Sequence, residues 1–112
     1  MTRMPKPPAL HQDFVRRYPK IGEAWESLAE QGREGPLDEE ACRLVKLGVA
    51  IGAMREGSVH ASVRKALALG IDPAALYQVV ALAAGTVGLS SAAAAYSWVR
   101  EMLDGGEAGP GS

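Results

Sequence analysis

Two residues of complementary chemistry stand four apart in this chain, Glu56 and His60, separated by Gly57-Ser58-Val59. Imidazole is the side chain that takes up and releases a proton near neutral pH. A carboxylate one helical turn away can orient the ring and couple to its proton. Glu56 and His60 are therefore the candidate catalytic residues, read as a general acid–base pair. Lys46, Arg55 and Arg64 are candidate cations for a substrate carboxylate. The plainer reading is that His60 is a satisfied polar group at the edge of a buried helix face, and that Arg64 and Lys65 belong to a solvated one. His11, close to a proline-rich start, reads as surface. Asp38-Glu39-Glu40 could pass for a carboxylate cluster, but acidic residues at a helix N-terminus account for it.

The remaining nucleophile is Cys42, the single cysteine. One thiol excludes an internal disulfide and two-thiol redox chemistry within a subunit. Arg43 beside it is a feature that favours reactivity, whereas a helical cysteine is more often a buried, inert one. No cofactor motif and no metal-ligand set is identified.

The elements that must position these groups are helices. The chain has 112 residues, which suits one domain, and 47% of them are hydrophobic but only 5% aromatic. Its core is then mainly Ala, Leu and Val. Twelve basic residues against 13 acidic ones leave a net charge of -1, so no strong field exists to attract nucleic acid or a membrane surface. The N-terminal residues lack the apolar core of a secretory signal. Val79 to Leu89 is too short and too glycine-broken to span a membrane. The expected location is cytoplasmic.

Residues 1–10 hold three prolines and are expected to form an extended arm. Phe14, Ile21, Trp25 and Leu28 have helical spacing, which Pro19 splits into a short helix, a bend and a second helix from Ile21 to Gln31. A loop follows at residues 32–36. Asp38 is placed to cap a central helix that is apolar almost all round from Leu44 to Ile51, as a buried helix is. A break is expected at Arg55-Glu56-Gly57. The next helix turns Val59, Val63, Ala66 and Leu67 to the core, with His60 and Ser62 on opposite flanks, and stops at Gly70. Asp72-Pro73 starts a helix with Leu76, Val79, Val80 and Ala83 as its stripe. Gly85-Thr86-Val87-Gly88 ends it. Ser90 or Ser91 is placed to cap a last helix carrying Ala94, Ala95, Trp98, Val99, Met102 and Leu103. The helical domain then covers residues 11–104, and residues 105–112 read as a flexible tail. High apolar content in so short a chain, with helices rich in small residues, points to an obligate homo-oligomer.

Taken in order, Phe14, Tyr18-Pro19, Trp25, Leu28, Gly35-Pro36-Leu37-Asp38, Leu44 to Ile51, His60 to Gly70, Asp72-Pro73 and Thr86-Val87-Gly88 to Trp98 form a pattern. It resembles the carboxymuconolactone decarboxylase family, which also contains alkylhydroperoxidase D. The resemblance implies an all-α fold: an alkylhydroperoxidase D-like bundle of about six helices, assembled as trimers or hexamers with sites near subunit contacts. It places the family's site histidine at Ser62, the two peroxidase-branch cysteines at Arg55 and Ser58, and the relay glutamate at Arg43. All four positions depart from the pattern.

Peroxide reduction by that route needs an attacking and a resolving thiol, which a lone Cys42 does not supply. The decarboxylase branch needs no cysteine. Loss of carbon dioxide leaves an electron-rich carbon that must be stabilised and protonated, and His60 with Glu56 suits that task. The first expectation is therefore a decarboxylase or lactone-processing lyase acting on a small carboxylated molecule. The alternative is a non-catalytic oligomeric member serving as a binding or assembly module. A peroxidase is a distant third.

Overall fold

Six helices and no strand make up residues 7–108, which are the residues described by this computed structural model. They are α1 (Pro7–Arg17), α2 (Pro19–Arg33), α3 (Glu39–Gly52), α4 (Glu56–Ala68), α5 (Pro73–Val87) and α6 (Leu89–Ala108). The all-α expectation and the helix count both hold. The chain divides into two compact units, one ending at Pro36 and one starting at Leu37.

The first unit is a pair of packed helices. Pro19 is the first residue of α2, where a missing N–H leaves no intrahelical bond unmade. Gly22 lets the two helices close up: a Cβ there would lie 3.1 Å from the Val15 Cβ. No residue of α2 is fully buried, so Ile21, Trp25 and Leu28 stay exposed. The extended arm expected over residues 1–10 is corrected at its end. Residues 7–10 form the first turn of α1, because prolines at a helix start remove only N–H groups that have no intrahelical acceptor. Residues 1–6 lie outside the described residues.

The second unit holds the core. Asp38 caps α3, its carboxylate accepting from the Ala41 N–H at 2.8 Å. Asp72 does the same for α5 through the Ala74 N–H at 2.9 Å. Helix α3 packs on α4 and α5, and α6 packs on the same two. Leu47, Ile51, Val59, Val63, Leu76 and Val99 meet between them, all fully buried. Contrary to the expectation of a helix buried all round, α3 buries one face only. Val45 and Val49 are more than half exposed.

The turns also sharpen the sequence reading. Helix α4 ends as expected at Gly70, whose φ is +81°. The Gly70 N–H donates to the Leu67 carbonyl and the Ile71 N–H to that of Ala66, the paired bonds of a left-handed helix stop. Helix α3 ends the same way, with Met54 at φ +54°. The Met54 N–H donates to the Ile51 carbonyl and the Arg55 N–H to that of Ala50. The break therefore lies at Ala53–Arg55, and Gly57 is helical. Helix α6 begins at Leu89 rather than behind a serine cap, with the Gly88 carbonyl accepting from the Ala92 N–H. It runs on to Ala108, through the start of the expected tail. Residues 109–112 lie outside the described residues. No helix among the described residues is long and apolar enough to cross a membrane.

Candidate functional site

The tight turn through Met54 delivers the chain directly into α4. Arg55 is its extended N-cap residue and Glu56 its first helical residue. His60 stands one turn later, so the two do share a face. Their neighbours Val59 and Val63 are fully buried, as are Ala95 and Val99 of α6. That apolar seam between α4 and α6 brings a third residue to the pair, Glu101 of α6.

His60 Nε2 lies 3.9 Å from a Glu56 carboxylate oxygen and 3.3 Å from one of Glu101. Both carboxylate side chains are more than half exposed, whereas the imidazole is 27% exposed. Nε2 itself is shielded from solvent and has no hydrogen-bond partner. The 3.3 Å separation is short enough for such a bond, but the two groups are not aligned for one. One donor atom of each residue converges so that all three lie within 4.8 Å of one another. A positive charge between them would be held by two anions.

The other sequence candidates fall elsewhere. Ser62 is not at the flank of α4 but buried, while Leu67, expected in the core, is 38% exposed. The reason is that the buried stripe runs through Val59, Ser62, Val63 and Ala66. Ser58 and Arg55 are exposed and Arg43 is half-buried. Lys46 and Arg64 form a basic group with Arg43 and Lys65. Partial burial first, then the charges of Arg43, Lys46 and Arg64, hold the Lys65 ammonium below the ordinary lysine range. Among the described residues none of these four pairs with a carboxylate. Cys42 is half-buried, its Sγ 3.7 Å from the Leu37 carbonyl oxygen. His11 is exposed and stacks edge-on with Trp25 in the first unit.

A separate groove of about 530 Å³ runs between α3 and α5, lined among others by Leu44, Val45, Gly48, Val79, Leu82 and Thr86. It contains no charged residue, and none of Glu56, His60 and Glu101 lines it. Sequence reasoning missed Glu101. Helical spacing links residues within one helix, but the pairing of α4 with α6 is a tertiary fact. The only hint is that Glu101 is the one acidic residue between Leu89 and Leu103.

The model of the carboxymuconolactone decarboxylase family matches residues 19–101. No curated protein and no solved structure matches the chain significantly. The matched stretch takes in helices α2 to α5 and all three members of the Glu56–His60–Glu101 cluster. The chain belongs to the carboxymuconolactone decarboxylase family.

Proposed function

We propose that this chain is a proton-transfer enzyme, a decarboxylase or lactone-processing lyase acting on a small carboxylated molecule. The observation that carries the reading is the placement of His60 Nε2 between the Glu56 and Glu101 carboxylates, out of solvent and without a hydrogen bond. In such a reaction the bond to the carboxylate carbon breaks and carbon dioxide leaves. The electron pair stays on the substrate carbon, where a protonated His60 delivers a proton. Glu56 and Glu101 flank the nitrogen that carries that proton. The basic group of Arg43, Lys46, Arg64 and Lys65, without a carboxylate partner among the described residues, supplies a field that favours an anionic substrate.

The test is turnover of a panel of carboxylated lactones in deuterated water. Carbon dioxide release is read alongside deuterium incorporation into the product. His60→Gln is expected to abolish both, and Glu101→Gln to lower the rate without unfolding the protein. Undiminished turnover in His60→Gln refutes the assignment.

A second reading, a non-catalytic oligomeric module, draws on a different observation. Helix α5 has no charged residue in its 15 positions, yet its Leu82 is 71% exposed beside the uncharged groove. Apolar surface of this kind favours self-association, and we propose a trimer or hexamer. Sedimentation showing a stable folded monomer at micromolar concentration contradicts it. A family member that assembles but turns over none of the panel fits the second reading.

A further inference from the structure

We propose that Glu56, His60 and Glu101 form a binding site for a divalent transition-metal cation such as Zn²⁺. The starting point is an electrostatic problem. With a neutral imidazole whose Nε2 carries the lone pair, a nitrogen acceptor faces two carboxylates that can only accept. Three acceptors then converge on one point. Such a point favours a positive group, a proton or a cation.

A proton on Nε2 needs a carboxylate along the N–H direction, and the structure does not provide one. The nearer oxygen is at 3.3 Å without hydrogen-bond alignment, and the farther one is at 3.9 Å. A metal ion makes no such demand of one pair. It needs donor atoms converging on a point. Ligands bound to zinc at about 2.0–2.2 Å in a tetrahedron stand roughly 3.3–3.6 Å apart. The His60–Glu101 separation already falls in that range. The Glu56 oxygen, 3.9 Å from Nε2, must close in, which its exposed side chain on the first turn of α4 is free to do.

The donor types fit as well. One imidazole nitrogen and two carboxylate oxygens suit Zn²⁺, Mn²⁺ or Fe²⁺ rather than a soft thiol-seeking ion. Two carboxylates neutralise a divalent charge. Three protein ligands leave a coordination position open for water or a substrate oxygen. The ion occupies the same Nε2 lone pair as the proton in the acid–base reading, so metal occupancy blocks proton delivery by His60. Neither reading depends on the other.

The experiment uses the full chain, freed of any histidine tag, carrying Cys42→Ser so that the thiol takes no metal. Zn²⁺ alone is titrated calorimetrically, and Co²⁺ is followed by its visible absorption. The expected result is one ion per chain with a raised Tm, because the ion joins α4 to α6. Glu101→Gln, a change on an exposed side chain, is expected to weaken Zn²⁺ binding by at least about tenfold and to remove the Tm gain. His60→Gln abolishes binding, and His11→Gln leaves it unchanged. Absence of Zn²⁺ binding overturns the proposal and leaves a proton-held cluster. Binding that survives His60→Gln overturns it too, since the ion then sits elsewhere. Turnover of carboxylated lactones by metal-free protein is read separately and bears only on the acid–base function.

Discussion

Leu47 is the most exacting test of the fold that holds the site. It is fully buried on α3, in one cluster with Ile51, Val63, Leu76, Val80 and Val99. Its removal is therefore felt by α3, α4, α5 and α6 together. Leu47→Ala deletes three carbons from a place that solvent cannot fill, at roughly 2–5 kcal/mol for a fully buried leucine. The second unit, with stability on the order of 0.05–0.15 kcal/mol per residue, holds about 4–11 kcal/mol in all. A loss of about 3 kcal/mol lowers Tm by roughly 12–24 °C in a domain of this size. Leu47→Asp adds an unpaired carboxylate to the same site, and its cost exceeds that of the alanine variant. Thermal and urea melts followed by circular dichroism measure both. The expected order is wild type, then Leu47→Ala, then Leu47→Asp, the last unfolded or nearly so. An aspartate variant melting within a few degrees of wild type would show that Leu47 is not enclosed, and the helix pairing around it would be wrong.

Three further outcomes are expected. Met54 is a non-glycine residue in the left-handed region, at φ +54°, a placement that costs roughly 1–2 kcal/mol; Met54→Gly should stabilise by up to about 1 kcal/mol, and Gly70→Ala, at φ +81° with open space around it, should destabilise by a similar amount in the same urea melts. The Lys65 ammonium is acidified by burial and by Arg43, Lys46 and Arg64, so the native state holds its proton less tightly than the unfolded chain does. The resulting penalty is full below the folded pKa and gone above the ordinary lysine value. Lys65→Gln should therefore melt higher than wild type at neutral pH, with the advantage fading as pH rises into the alkaline range; a pH-independent difference contradicts the charge argument. Cys42→Ser should leave any peroxide reduction unchanged, because one thiol has no resolving partner in the chain; a large loss of a robust activity would instead require a thiol pair across subunits.

What could be read beforehand was local. Asp38, Asp72 and Gly70 each announce a helix end by a side chain or by a missing one, and the structure uses all three as expected. The pairing of Glu56 with His60 was likewise a matter of spacing along one helix. Met54 was invisible because nothing in a methionine marks a left-handed residue. Its position moved the break upstream and made Gly57 helical. Ser62 reads as a flank in the sequence because it is polar, whereas helix geometry carries it inward beside Val59 and Val63. Val45 and Val49 read as core in the sequence because composition does not say which face of an apolar helix finds a neighbour. Glu101 required knowing that α6 lies along α4, which no short-range pattern encodes.

That division of the cluster between two helices has a mechanical consequence. Glu56 and His60 travel together on α4, while Glu101 arrives only when α6 is seated. Lifting α6 away would dismantle the trio, and because Ala95 and Val99 of α6 are fully buried in the core, the trio holds as long as that core stays closed. The trio's geometry therefore depends on how α6 is seated. A ligand held by all three residues would clamp α6 down, and a partner that drew α6 outward would part Glu101 from His60 without touching either.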